Sequence, residues 1–318
     1  MFELHRAIRQ ALQATHATQA VSTAAPQGQS RPALSNSRFL AITSLDEAPG
    51  YLVKLATLVD ACGARLRLAY GPNRSLAYAS PLARLKQRAR YLGRLLDRGV
   101  ETVDVEIGSP KELRRHLVDC AVVCIAKPTR TGPPGPGDAD FLNSLLAFGG
   151  PPVLIVEPGE GGQYANTLVP VSLGPNSPQL LRWARVLAPD SAIEVLHVTD
   201  LPKQSYSPQP LSVVGQALEL SRAVLQHRLS ALSGELADRK AASRQMLTYG
   251  DVAEEIERRQ IGEGHGLVVV GISARGRWLQ WLRPVLAHKL AGRLHSDMLV
   301  VPQPSHRAAE FLSCPGSL

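Results

Sequence analysis

Short apolar runs alternate with longer amphipathic stretches through residues 38–304, which predicts β-strands separated by helices. The strands are continuously apolar, as in PPVLIVEP at residues 151–158 and DMLVVPQP at residues 297–304. Strands of this kind are typical of a parallel sheet covered by helices on both faces. Longer helical patterns occupy residues 81–98 and 213–239. Because crossovers between parallel strands are right-handed, the pattern predicts a doubly wound, Rossmann-like α/β fold.

The first βαβ unit of this pattern occurs twice. Residues 39–70 and residues 167–198 each open with an apolar run, break at a Ser-Leu pair and continue through a helical period to a second apolar run. The two pairs are Ser44-Leu45 and Ser172-Leu173. A repeated unit of this kind predicts two tandem domains of the same fold.

A second pair of matching stretches, residues 105–125 and 247–270, extends the repeat. In each, a strand ends at a glycine, and the next residue is a predicted helix N-cap whose side-chain oxygen accepts from an unpaired backbone N–H. Each half is therefore predicted as a five-stranded parallel sheet with helices on both faces. The glycines and caps are Gly108 and Ser109 in the first copy, and Gly250 and Asp251 in the second.

The Gly/Pro-rich segment at residues 157–166 marks the predicted boundary between the domains. We expect a first domain over residues 38–158 and a second over residues 166–304. Residues 1–37 are rich in Ala, Thr, Ser and Gln and contain one acidic residue, so we expect a disordered leader with a short helix. Residues 305–318 are expected to form a tail.

The net charge of +8 is spread along the whole chain at intervals that suit the solvated faces of helices. A nucleic-acid partner is therefore not expected, although a basic protein invites that interpretation. No apolar run approaches the length of a membrane span, so no membrane contact is expected either.

The four cysteines show neither a CxxC motif nor a regular framework, which predicts a reducing, cytoplasmic location and no metal site. Cys120 and Cys124 lie in or beside the apolar run AVVCIA and are expected to be buried core thiols.

Residues 249–302 resemble the C-terminal half of a universal stress protein domain. The shared features are a glycine, an acidic helix, a strand ending in glycine, a basic Gly-rich loop, and a helix leading to an apolar closing strand. The likeness extends over most of residues 167–302 and more loosely over residues 39–158. It implies a tandem member of that family, whose two domains pair as the subunits of single-domain relatives do.

Nucleotide-binding members of that family carry G-x-x-G, nine residues, and then G-[S/T] after the fourth strand, together with an Asp at the end of the first strand. Glycines let backbone N–H groups approach phosphates, and the hydroxyl adds a donor. This chain departs from the pattern. Gly271 and Gly276 are five apart, Pro284-Val285 stands in place of G-[S/T], and Ser44 and Ser172 replace the Asp. In the first half the loop reads KPTRTGPPGPGDAD, a poor phosphate cradle.

Arg275 and Arg277 could restore part of a lost anion site by direct charge pairing. For the second domain we therefore leave open no ligand, an adenine nucleotide such as ATP, or another small ligand or anion; the first domain is expected to be empty. The candidate binding residues are Ser172, Gly271, Arg275, Gly276, Arg277 and Val285.

The sequence as a whole predicts a non-catalytic stress-response protein that acts through protein contacts or by sensing a small ligand, with no required cofactor. The alternative is an ATP- or AMP-binding switch, or a weak ATPase, that uses the loop of the second domain. A homodimer and a further protein partner are both compatible with this interpretation.

Overall fold

The computed structural model describes residues 34–45, 47, 49–71, 80–104, 107, 110–127, 145–146, 150–159, 161, 163–174, 176–199, 222–232, 243–272 and 283–302. The first half contains strands β1 (Arg38–Thr43), β2 (Arg65–Tyr70), β3 (Glu101–Thr102), β4 (Val122–Ala126) and β5 (Val153–Val156). Its helices are α1 (Pro49–Ala61), α2 (Pro81–Leu96) and α3 (Pro110–Leu117).

The second half repeats this order. Its strands are β6 (Asn166–Pro170), β7 (Ala192–Thr199), β8 (Ser243–Tyr249), β9 (Leu267–Ile272) and β10 (Asp297–Pro302). Its helices are α4 (Ser177–Leu187), α5 (Val252–Glu263) and α6 (Arg283–Arg293), and residues 222–232 are also helical.

The ten strands form one sheet in the order β3-β2-β1-β4-β5-β10-β9-β6-β7-β8. Each half is parallel throughout and has the same internal order, so the predicted doubly wound domains are confirmed. The two closing strands pair antiparallel, with Ile155 opposite Met298. This pairing joins the domains into one sheet and satisfies backbone groups that two separate domains would leave unpaired at an edge.

Apolar residues fill a core on each face of the sheet. On one face α1, α2 and α4 cover Phe39, Leu68 and Val195. On the other, α3, α5 and α6 cover Leu40, Val268 and Val300. Because alternate residues of a strand point to opposite faces, the continuous apolar strands supply both cores at once.

The repeat extends to the backbone conformation. Leu45 and Leu173, the second members of the two Ser-Leu pairs, both adopt positive φ angles, 70° and 56°. Non-glycine residues rarely enter this left-handed region. The shared conformation shows that the chain leaves the first strand of each half through the same tight turn.

One predicted helix cap is present in the structure, and one helix ends earlier than predicted. Asp251 accepts hydrogen bonds from Ala253 N at 3.0 Å and Glu254 N at 3.1 Å, which confirms the predicted N-cap. The corresponding Ser109 lies outside the described residues. Helix α2 stops at Leu96, two residues before the predicted end, because Asp97 turns into the left-handed region with φ 50°.

The predicted third strand of the first half lies mostly outside the described residues. We expected a strand that ends at Gly108, and of residues 105–108 only Ile107 is described, whereas the regular strand β3 precedes this stretch. Val103 N still donates to Leu68 O, and Ile107 N donates to Tyr70 O, both at 2.9 Å. These two bonds continue the contact with β2 beyond Thr102 at the described positions.

Cys62, Cys120 and Cys124 are buried, as expected for the two in the AVVCIA region. Burial raises the pKa of Cys62 to about 12 and that of Cys120 to about 11. Within the described ranges, no group of three or more His, Cys, Asp or Glu side chains could hold a metal ion. Among the same residues, no helix has the length and apolar character needed to cross a bilayer.

Candidate functional site

Two of the candidate ligand residues lie at the C-terminal ends of neighbouring strands. Ser172 follows β6, Gly271 is near the end of β9, and the two strands pair in parallel. The chain runs from β6 to β7 and β8 on one side and then returns to β9 on the other side of β6, so the strand order reverses here. Open α/β folds commonly bind ligands at such a point. The structure thus brings Ser172 and Gly271 to one edge, and both residues are exposed.

Gly271 also has a packing role. A Cβ atom at this position would lie 3.1 Å from both Cδ atoms of Leu180 in α4. The absence of a side chain therefore lets α4 pack closely against the end of β9. The sequence suggested that glycine stands here to bind phosphate, whereas the structure gives close helix packing as a reason for it.

The remaining candidates contribute little to the described geometry. Arg275, Gly276 and Arg277 lie outside the described residues. Val285 belongs to α6, of which the structure describes the backbone at that position. The predicted basic loop remains a sequence prediction.

A buried histidine contacts the backbone at the end of β6, on the same edge of the sheet. His197 Nδ1 lies 2.8 Å from the backbone oxygen of Val171, the residue before Ser172. Val171 N in turn donates to Leu196 O at 2.8 Å. These contacts fix the backbone at the end of β6 and orient the turn that carries Ser172.

The corresponding edge of the first domain is closed by its own side chains. Arg88 of α2 donates through Nη1 to Thr43 Oγ1 at 2.9 Å and to Glu47 Oε2 at 2.5 Å, and through Nη2 to Leu45 O at 2.6 Å. The Glu47 carboxylate also accepts from Ser44 N. We call Thr43, Leu45, Glu47 and Arg88 the β1 plug. It occupies the end of β1, where the family resemblance places the nucleoside-binding Asp.

The second domain lacks the residues for such a plug. With Ser44-Leu45 matched to Ser172-Leu173, Thr43 corresponds to Val171 and Glu47 to Pro175. Valine has no hydroxyl to accept from a guanidinium, and proline has no carboxylate to pair with one. The two domains therefore share a backbone but differ in the polarity of their ligand edges.

A buried polar cluster joins the two domains beside the β5–β10 pair. Asp297, at the start of β10, is fully buried and accepts from Lys54 Nζ at 2.8 Å, Glu157 N at 2.8 Å and Tyr164 OH at 2.6 Å. We call Lys54, Glu157, Tyr164 and Asp297 the junction cluster. Burial raises the pKa of Asp297, whereas the Lys54 charge and these hydrogen bonds act against that rise.

A second buried lysine also contacts the junction cluster, through Glu157. Lys127, at the end of β4, is almost fully buried and donates to Glu157 Oε2 and to the backbone oxygen of Leu294. Since Lys127 and Glu157 belong to the first half and Leu294 to the second, this contact also crosses the junction. Buried charges are tolerated only when they are paired in this way.

Sequence reasoning did not single out Arg88, Glu47, Lys54 or Asp297. A polar residue at the end of a strand was the feature of the sequence that came closest to indicating these contacts. However, the partners of Asp297, Lys54 and Tyr164, are 243 and 133 positions away along the chain. Sequence spacing carries no information about a contact that only the packing of two domains creates.

The fold defines a tandem α/β protein of two doubly wound domains, each with a candidate ligand edge at the C-terminal ends of its first and fourth strands. Residues 163–302 match the model of the universal stress protein family. The chain therefore carries a universal stress protein domain, and its first half adds a second domain of the same fold. No curated protein matches the chain.

Solved structures with this two-domain arrangement cover almost the whole chain. A functionally unknown protein from Pseudomonas aeruginosa PAO1 has a TM-score of 0.64 at 17% identity, over 89% of this chain and 98% of its own. A universal stress protein from Archaeoglobus fulgidus DSM 4304 has a TM-score of 0.57 at 9% identity, over 86% of this chain and 98% of its own. At these identities the likeness establishes a shared fold.

Proposed function

We propose that this protein is a non-enzymatic stress-response protein of the cytoplasm, acting through protein contacts or by sensing a small ligand. Its first domain binds no nucleotide. The observation that carries this proposal is the β1 plug, in which the Arg88 guanidinium takes up the hydroxyl, carboxylate and carbonyl acceptors at the end of β1.

The energetic argument rests on burial. The side chains of Arg88 and Glu47 are only 14% and 6% exposed. A ligand at this edge would have to displace Arg88 and leave a buried carboxylate without its partner. Breaking a buried pair in this way costs about 3–5 kcal/mol, which would weaken ligand binding by roughly two to four orders of magnitude.

A second candidate function is an adenine-nucleotide switch or weak ATPase in the second domain. It is favoured by one observation: Val171 and Pro175 cannot form a plug of this kind. In this alternative Arg275, Gly276 and Arg277 would hold the phosphates, and Ser172 would face the nucleoside.

Calorimetry with ATP and Mg²⁺ on the purified full chain distinguishes the two. We expect no heat of binding and no co-purified nucleotide in the wild type. Micromolar binding that is abolished by Gly276→Asp would establish the switch instead.

The role of the plug is tested by the double variant Glu47→Ala/Arg88→Ala, with the exposed Arg90→Ala of the same helix as its control. If the plug excludes nucleotide, only the double variant can gain binding. Wild-type binding that is lost in this double variant, but retained in Gly276→Asp, would contradict the assignment of an empty first domain.

A further inference from the structure

Three arginines lie side by side at the N-terminal ends of β1 and β2, on the opposite edge of the sheet from the candidate ligand sites. Arg38 is directly opposite Arg65 in the strand register, and Arg67 is two residues further along the same strand face. Because strand side chains alternate, all three point to the face that carries Leu40 and Ala69. We call this group the arginine cleft.

The helix beside the cleft is shorter than its counterpart in the second domain. Helix α3 has eight residues, whereas its counterpart α5 in the second domain has twelve. In the second domain the position of Arg67 is taken by Glu194, since Leu40 faces Arg67 and the corresponding Leu168 faces Glu194. Arg259 of α5, at the position that Leu117 holds in α3, pairs with Glu194, and that carboxylate is buried.

Two adjoining cavities mark the cleft in the first domain. One, of about 330 Å³, is lined by Arg38, Arg65 and Asp119, among others. The other, of about 590 Å³, is lined by Arg67, Glu101 and His116, among others. Volumes of this size are in the range of small-molecule sites.

The arginines are only partly neutralised by the residues around them. Arg67 donates to Glu101 through Nε and Nη2. Arg38 is further from its acidic neighbours: its Nε is 3.6 Å from Glu101 and its Nη1 is 3.6 Å from Asp119, both beyond hydrogen-bond distance. Arg38 Nε is buried without a hydrogen-bond partner. In the part of the chain that the structure describes, Arg65 is exposed and makes no ion pair.

The two carboxylates can be displaced. Glu101 and Asp119 are 45% and 70% exposed, and exposed ion pairs contribute little stability. A ligand with several oxygens and a higher charge would compete well for three guanidinium forks, because each fork matches an oxyanion in geometry. Burial and then the neighbouring Arg67 and Arg115 lower the pKa of His116 beside the cleft, which is consistent with positive potential there.

We propose that the arginine cleft of the first domain binds a small phosphate-type oxyanion through Arg38, Arg65 and Arg67. This site is separate from the nucleotide edge, so it stands whether or not the second domain binds ATP. The second domain has no equivalent, since Asn166, Ala192 and Glu194 take the three positions.

The probes for this site are inorganic phosphate and pyrophosphate, titrated into the full chain by calorimetry at low ionic strength. We expect saturable binding that Arg65→Gln and Arg38→Gln each weaken by at least about tenfold, because each removes a charged hydrogen-bonding partner. Arg244→Gln, which removes an exposed arginine of β8, should change the affinity by less than about twofold.

The second readout is the NMR titration of His116. A bound anion opposes the charges of Arg67 and Arg115, so phosphate should raise the pKa of His116 in the wild type and not in Arg65→Gln. The idea fails if the wild type binds neither probe at millimolar concentration, or if Arg244→Gln weakens binding as much as Arg65→Gln does. Loss of phosphate binding in Gly276→Asp would assign the anion to the second domain and would also contradict the proposal.

Discussion

Lys54 of the first domain and Asp297 of the second form an ion pair of 2.8 Å across the junction, with the carboxylate fully buried. The lysine also donates to Glu157 O at 3.2 Å, so one ammonium group holds both halves of the chain. The antiparallel β5–β10 pair supplies the backbone connection, and this ion pair supplies a specific side-chain connection beside it.

Replacement of Lys54 by Met should lower the free energy of unfolding by about 3–5 kcal/mol, because Asp297 would remain buried without its charged partner. Asp297→Asn in the Lys54→Met background should recover part of that loss. Chemical denaturation of the two single variants and the double variant measures the coupling between the residues. A control is Lys289→Met, whose exposed pair with Asp251 at 3.5 Å should contribute less than about 1 kcal/mol. Equal losses in Lys54→Met and Lys289→Met would show that the junction pair adds nothing specific.

Stability should decrease as the pH falls below about 6.5, in part because of His265. Burial is the main cause that lowers the pKa of this histidine, despite the opposing charge of Glu194. The unfolded chain therefore binds a proton at a higher pH than the folded chain does. The stabilisation is fully present at pH values above the pKa that His265 has in the unfolded chain. It is lost as the pH falls through the lower pKa that His265 has in the folded chain.

Denaturation of the wild type and His265→Gln at pH 7 and pH 5 tests this linkage. The variant should lose less stability between the two pH values than the wild type, whereas His227→Gln, on an exposed helix position, should behave as the wild type. An identical pH response in His265→Gln and the wild type would exclude the histidine as a source.

Gly271→Ala should destabilise the protein by about 1–3 kcal/mol, because the new methyl group would overpack against Leu180. Gly262→Ala is the matched control within α5, since a methyl group there would meet no neighbouring atom of the described residues within 4 Å. At this position alanine should stabilise by about 0.5–1 kcal/mol through helix propensity. Thermal unfolding of both variants gives the comparison, and a Gly271→Ala protein as stable as the wild type would remove the packing role.

Cys62 and Cys124 should resist alkylation in the native protein, since burial raises both thiol pKa values and the thiolate is the reactive form. Iodoacetamide labelling at pH 8, followed by peptide mass spectrometry, should find both unmodified in the folded chain. Both should react fully in denaturant. Rapid modification of Cys124 under native conditions would mean that the β4 core opens locally.

Much of the architecture was readable from local pattern. The continuous apolar strands, the Ser-Leu turns after β1 and β6 and the Asp251 cap all depend on residues that are close in sequence. Ser172 and Gly271 were candidates from the sequence, but their common edge depends on the strand order of the folded sheet.

The sequence by itself determined that two copies of one α/β unit share the chain, because the period of hydrophobic positions specifies strands and helices wherever it occurs. Only the tertiary structure decided that Arg88 fills the end of β1, that Asp297 meets Lys54, and that Arg38, Arg65 and Arg67 share one face of the sheet. These contacts join residues from separate elements. Their geometry depends on strand register and helix length, and neither is encoded in the spacing of the residues that meet.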